Sequence, residues 1–260
     1  VSDQHHDEYD DSFVAGLEWI WGDGFLSPGG AQEVARILGD VSLDERSVLD
    51  IGCGVGGVDV LLVKQHNAGH VTGIDVETAL VETSRRNAER AGLSDCITIK
   101  HVRPGSLDFD DKTFDVVFSK DSMIHIPDKA QIYSEIYRVL KPGGQIAFSD
   151  WFGSANPETP EFRQWLDVVN LSLRMGTIED AAKLIDSAGF RDVEFEDRNH
   201  WYAQYMVEEL ERCSGDNFDA LATAQGTAVA EHRLRSSTLK KTVVDQGQLR
   251  PGHVRATKPR

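Results

Sequence analysis

Val48-Leu49-Asp50-Ile51-Gly52-Cys53-Gly54-Val55-Gly56-Gly57 is the stretch whose reading decides the fold. A short apolar run leads into a glycine-rich turn, and the turn leads into a helical pattern. Asp75 closes a second apolar run about 20 residues further on, the spacing used to grip a ribose at the end of the next strand. Glycines have no Cβ, so the backbone of such a turn can approach a ligand closely. The pattern predicts a binding site for a nucleoside-containing cofactor.

Gly52, Gly54 and Gly57 also satisfy the dinucleotide fingerprint G-x-G-x-x-G, so the loop by itself leaves the cofactor open. Asp50 points toward S-adenosylmethionine, because a carboxylate just ahead of the first glycine can take the ammonium of a methionine moiety. Helical material ahead of the first strand points the same way.

Outward from the loop, elements alternate in a βα rhythm. Strands are expected at Ser47–Ile51, His70–Ile74, Ile97–His101, Phe114–Ser119 and Gln145–Asp150. Helices are expected at Gly57–Gln65, Glu77–Ala91 and Lys129–Leu140. Short, wholly apolar strands are those of a parallel sheet covered on both faces. Beyond Asp150 the expectation is a helix from Pro157 to about Met175, an N-cap at Thr177, a strand at Val193–Phe195, helical material over 201–244 and a last strand over 250–257. The fold class is α/β and Rossmann-like, with a mostly parallel seven-stranded sheet, helices on both faces and a helical cap. The organisation expected is one domain: an N-terminal cap (1–40), a cofactor-binding core (41–150), cap or lid insertions with the sixth strand (151–249), and the last strand with its tail (250–260).

Bulk properties narrow the function class. The chain has 260 residues and a formal net charge of −16, which argues against nucleic acid and anionic membranes as partners. No apolar run reaches the roughly 18 residues of a membrane span, and the acidic start Val1-Ser2-Asp3-Gln4-His5-His6-Asp7-Glu8 is no signal peptide. Cys53, Cys96 and Cys213 lack metal spacing and read as reduced thiols, which places the protein in the cytoplasm with no metal site. The expected partner is a small molecule, and the expected state a monomer or weak homodimer.

The residues resemble a known family. The glycine loop, Asp75, Phe114-Asp115-Val116-Val117 and Leu140-Lys141-Pro142-Gly143-Gly144 together look like a class I S-adenosylmethionine-dependent methyltransferase. Glu18-Trp19-Ile20-Trp21-Gly22-Asp23-Gly24-Phe25-Leu26-Ser27-Pro28-Gly29-Gly30, Lys120-Asp121-Ser122-Met123-Ile124-His125-Ile126 and Gly252-His253-Val254-Arg255-Ala256-Thr257-Lys258 sharpen it toward the phosphoethanolamine N-methyltransferases. The resemblance implies cofactor contacts from Leu26, Ser27, Asp50, Gly52, Cys53, Gly54, Asp75, Val76, Arg103, Pro104 and Lys120. It implies that Tyr9 closes over the site and that Asp121 and His125 stand beside the accepting nitrogen. A histidine suits the base, because its ordinary pKa lies near working pH.

The chain also departs from the family. Where the family grips a phosphate with an aromatic residue, an Arg, a Tyr and a Lys, this sequence has Trp151, Leu171, Leu173 and Thr242. Arg174, three residues past Leu171 on the expected helix, and Lys240 or Lys241, beside Thr242, could restore basic character. Where an acid reads the adenine amino group, Arg103 stands before Pro104, with Ser106 or Asp108 as substitutes. Glu8 and Asp167 add negative charge, and Trp19, Trp21, Trp151, Trp165 and Trp201 offer either aromatic faces for an ammonium group or plain lid packing. The candidate acceptor-binding set is therefore Glu8, Trp151, Asp167, Leu171, Arg174 and Lys241. The expected activity is N-methylation of a small amine: a phosphobase such as phosphoethanolamine, or a non-phosphorylated amino alcohol or amino acid. The alternatives are S- or O-methylation of a small metabolite, a catalytically silent cofactor-binding module, and, least favoured, an NAD-dependent oxidoreductase.

Overall fold

A computed structural model describes Tyr9 and residues 11–105, 107–171 and 173–260. Seven strands form one sheet: β1 (Ser47–Ile51), β2 (His70–Asp75), β3 (Ile97–His101), β4 (Phe114–Lys120), β5 (Leu140–Gly153), β6 (Arg191–Asp197) and β7 (Leu249–Thr257). Their order is β3-β2-β1-β4-β5-β7-β6, and β7 runs antiparallel to both of its neighbours. β1 pairs in parallel with β2 on one side and β4 on the other, so the chain reverses its direction of travel across the sheet there. In such sheets the ligand crevice opens beyond the carboxyl ends of the two strands at that switch point.

Successive side chains of a strand point to opposite faces. Val48, Val116 and Ala147 pack into a core with Val34, Ile37 and Leu62, whereas their neighbours Leu49, Val117 and Phe148 pack into one with Ile132, Tyr133 and Ile136. Both faces are therefore dry, which explains why these strands are apolar without alternation. The first face is covered by α2 (Gly30–Leu38), α3 (Gly57–Lys64) and α4 (Thr78–Arg90), the second by α5 (Lys129–Val139) and α7 (Ile178–Ser187). Asp128 caps α5 through the Gln131 amide, and Thr177 with Asp180 forms a reciprocal capping box on α7.

A third apolar cluster, with Phe162, Trp165, Tyr202, Met206 and Val243, joins α6 (Pro160–Val169), α8 (Asn199–Arg212) and α10 (Thr227–Asp245) into the cap. α1 (Asp11–Trp21) packs on α8, and α9 (Asp216–Gln225) packs on α10.

Three of the departures from expectation have a visible local cause. β5 begins at Leu140, ahead of the Pro142-Gly143-Gly144 turn, which becomes a register shift against β4 instead of a leader into the strand. The expected helix to Met175 stops at Val169, because Asn170 adopts a left-handed conformation (φ 49°) that ends it. The helical stretch over 201–244 is broken at Gly215 and Gly226, both at positive φ. Among the described residues no helix is long and apolar enough to cross a membrane.

Candidate active site

The glycine loop lies at the carboxyl end of β1. The Gly52 and Cys53 amides donate to the Ile74 carbonyl (2.8 and 3.0 Å), which binds the loop to the end of β2. Gly52 has φ 75°, and a Cβ there would overlap the Ser122 side chain, so the loop needs glycine at that point. Asp75 accepts from the Gly54 amide (2.9 Å) and the Glu77 amide (3.0 Å). These bonds aim both carboxyl oxygens and leave lone pairs for a diol. Burial raises the Asp75 pKa, and the amides of Glu77, Gly54 and Val76 oppose the rise.

Below the loop lie Asp50 and Asp59, 1% and 0% exposed. Buried neighbouring carboxyls favour holding a proton, because neither charge is solvated. Burial pushes Asp59 well above the carboxylate range, and the charge of Asp50 adds to the rise. Asp50 is pushed up to about 7 by burial, which the bond with Asp59 opposes and the charge of Asp75 reinforces. This donor set fits S-adenosylmethionine: a cluster of acids attracts a cationic ligand, Asp75 suits a ribose, and Asp50 suits an ammonium group. Cys53 is buried, and burial followed by the Asp59, Asp75 and Asp50 charges holds its thiol protonated and inert.

At the end of β4, Lys120 is a buried tether. Its ammonium reaches Ser27 Oγ (2.5 Å), the Pro28 carbonyl (2.8 Å) and Asp121 Oδ2 (3.0 Å), joining the N-terminal cap to the sheet. Asp121 sits at φ 57°, a conformation uncommon outside glycine and found at functional sites. Ser119 and Ser122 both donate to the Ile51 carbonyl (2.8 and 2.6 Å), which locks the following 3-10 turn, Met123–His125, against β1. That turn presents His125, and the Tyr9 hydroxyl lies 3.2 Å from its Nε2.

Tyr9, Asp121 and His125 line one cavity of about 140 Å³ together with Leu26, Ser27, Trp151, Trp165, Leu171 and Leu173. α10 adds Arg233, Ser236, Ser237 and Lys240, and α8 adds Glu209. Asp167, Arg174 and Lys241 do not line it. Asp167 and Arg174 are exposed, and Lys241 pairs with Asp245 one helical turn on. Arg174 follows the end of α6, not a helix face, and its amide donates to the Ile124 carbonyl (2.8 Å). Lys240, next in sequence, is the lysine that faces the cavity. Thr242 bonds back to the Thr238 carbonyl. Arg103 and Pro104 lie exposed beyond β3, and Val76 is 45% exposed. Glu8 and Ser106 lie outside the described residues. Trp201 stacks on Arg198 (4.5 Å) and Trp19 is largely exposed, so neither is part of the cavity wall.

Glu209 was invisible to sequence reasoning. Within Val207-Glu208-Glu209-Leu210-Glu211-Arg212 it reads as one charge of a solvated helix face. The structure buries it completely.

A methyltransferase domain family matches residues 49–148. Phosphoethanolamine N-methyltransferase 1 of Arabidopsis thaliana is 30% identical over 206 residues, covering 79% of this chain and 41% of that protein. The Plasmodium falciparum phosphoethanolamine N-methyltransferase is 27% identical over 208 residues, covering 78% of this chain and 76% of that protein. Among solved structures, Haemonchus contortus phosphoethanolamine N-methyltransferase 2, in complex with phosphomonomethylethanolamine and S-adenosylhomocysteine, superposes with a TM-score of 0.87 at 25% identity, covering 97% of this chain and 59% of that one. The chain spans less than half the length of the plant relatives it matches. The domain match, the sheet order and the loop geometry agree: this chain has the class I methyltransferase fold and resembles the phosphoethanolamine N-methyltransferases.

Proposed function

We propose that the chain is an S-adenosylmethionine-dependent N-methyltransferase of a small amine. The observation that carries this reading is the Tyr9–His125 contact of 3.2 Å in the cavity that Asp121 also lines, next to the cap residues Leu26 and Ser27. When bound, S-adenosylmethionine supplies an electrophilic methyl group on a sulfonium. The Asp50, Asp75 and glycine-loop groups would hold its two ends, and Leu26 and Ser27 would close over it.

An alkyl amine is mostly protonated at neutral pH, so its lone pair has to be freed before it can attack. His125 takes the proton from the ammonium, with the Tyr9 hydroxyl as its hydrogen-bond partner. Asp121 orients the amine and balances its charge. The freed nitrogen would then be the nucleophile toward the methyl group that the cofactor supplies when bound, and the proton would remain on His125 until it passes to solvent. The apolar wall of Phe13, Leu17, Ile20 and Ile124 excludes water from the transfer. The family likeness supports the amine class.

Incubation with a labelled methyl donor across panels of amines, thiols and hydroxyl compounds tests the reading. N-methylated product is expected. Transfer to thiols or hydroxyls with none to amines would overturn it.

A further inference from the structure

The cavity has a second charged end, remote in sequence from His125. Glu209 of α8 is fully buried there and accepts from Trp21 Nε1 (3.1 Å), the Tyr202 hydroxyl (3.0 Å) and Ser237 Oγ (3.4 Å). The Lys240 ammonium lies 2.6 Å from its Oε1. Three neutral donors and one cation converge on this carboxylate, which makes it a fixed counter-ion of Lys240 rather than a loose side chain. Lys240 is also held over the rings of Trp21 (5.1 Å) and Tyr202 (5.7 Å).

Lys240 is thus a cation that already has its anion. The cavity wall is apolar at Leu171 and Leu173, and another of its cations, Arg233, is held at the α1 end, where it donates to the Phe13 carbonyl (2.7 Å) and lies over the Phe13 ring (4.8 Å). A phosphate on an acceptor carries about −1.5 to −2 charges at pH 7. Placed against Lys240 it would stand beside the buried Glu209 carboxylate, where low dielectric magnifies repulsion. A carboxylate carries one charge and can take the Lys240 N–H bonds that Glu209 leaves open, together with the Ser236 hydroxyl.

Resting on the N-methyltransferase reading above, we propose that Glu209 is a specificity-determining residue: by tethering Lys240 it sets the cavity to accept amines whose tail bears a single negative charge, so that the methyl acceptor is a short amino carboxylic acid and not an amino phosphate. The transfer itself is unchanged, with the acceptor nitrogen gaining the methyl group and its proton leaving to His125.

Calorimetry on the S-adenosylhomocysteine-loaded protein tests this apart from turnover. The probes are phosphoethanolamine and a series of amino carboxylic acids from glycine to 4-aminobutyrate. Wild type is expected to bind one of the acids at least tenfold more tightly than phosphoethanolamine at pH 7.5. Phosphoethanolamine should gain affinity at pH 5.5, where its phosphate approaches one charge. Glu209→Gln keeps the shape of the side chain and releases Lys240, and should shift the binding ratio at least tenfold toward phosphoethanolamine while abolishing that pH gain. Preference of wild type for phosphoethanolamine at pH 7.5 would overturn the proposal whether or not the variant folds, and so would an unchanged ratio in a folded Glu209→Gln protein. Methylation of thiols alone would sink the function proposed above, whereas the binding ratio judges Glu209 separately.

Discussion

Gly57, the first residue of α3, lies directly under Gly24 of the cap: a Cβ on Gly57 would come within 2.6 Å of the Gly24 carbonyl carbon. The last glycine of the loop therefore serves the seating of the cap, and with it Leu26 and Ser27, which stand two and three residues past Gly24.

Gly57→Ala should lift the cap segment, because the obstacle is backbone and cannot rotate away. Overpacking of this kind costs about 1–3 kcal/mol. Weaker S-adenosylhomocysteine binding and a lower unfolding midpoint are expected. Gly153→Ala is the control, since its nearest neighbours stand 3.6 Å away or more and its φ is not positive. Equal behaviour of the two variants would contradict the role given to Gly57.

His125→Ala should lose about 10²- to 10⁴-fold in kcat, the usual worth of a positioned general base. Its affinity for S-adenosylhomocysteine should stay near wild type, because no cofactor contact is assigned to the ring. Tyr9→Phe, which removes only the hydroxyl 3.2 Å from His125 Nε2, should lose less. Stopped-flow binding alongside steady-state rates separates the two effects, and wild-type rates in His125→Ala would refute the base role.

Cofactor affinity should rise with pH through about 7, the value to which Asp50 is pushed. A cationic ammonium prefers the ionised carboxylate, so binding strengthens as Asp50 loses its proton. Asp50→Asn should bind more weakly and show a flat profile over that range. A titration followed from pH 5.5 to 8.5 measures both, and a wild-type affinity independent of pH would argue against the Asp50–ammonium contact.

Acid stability should depend on Glu33. Its carboxylate takes a bidentate pair of bonds from Arg198 (2.9 and 2.9 Å) and lies 2.8 Å from His253 Nε2, binding α2 to β7 and to the start of α8. Burial raises its pKa, but the bonds and charges of His253 and Arg198 outweigh that and bring it to about 2 from 4.5. The folded state thus holds the proton less tightly than the unfolded chain. The stabilisation is complete above pH 4.5 and is lost as pH falls toward 2. Glu33→Ala should cost about 3–5 kcal/mol at neutral pH, since it leaves the buried Arg198 guanidinium without its partner. Urea unfolding at pH 7 and pH 3 should show a smaller difference between the two pH values in the variant than in wild type.

The glycine-loop half of the candidate site was legible because it is local. Strand, glycine turn and helix start are contiguous from Val48 to Gly57, and Asp75 follows at the end of the adjacent strand, so spacing alone places them together. The acceptor half was read less well. Lys241 was the expected lysine, yet Lys240 faces the cavity, because adjacent helical residues point about 100° apart and only the packing of α10 against α6 and α8 sets which one turns inward. Arg174 was misplaced because its reach was argued from a helix that Asn170 ends.

The sequence by itself determined the α/β class, the strand positions up to β4 and the glycine loop, while Tyr9, Asp121 and His125 became candidates through the family resemblance. Those features are written in short periodicities and contiguous motifs, which local backbone preference and burial on both sheet faces enforce. Only the tertiary structure decided that Gly57 seats the cap under Gly24, that Lys240 rather than Lys241 lines the cavity, and that Glu209 is its buried counter-ion. Each of these joins elements far apart in the chain, 28 residues from α8 to Ser237 and 188 from Trp21 to Glu209. Contacts at that range depend on how helices pack, which no local pattern encodes.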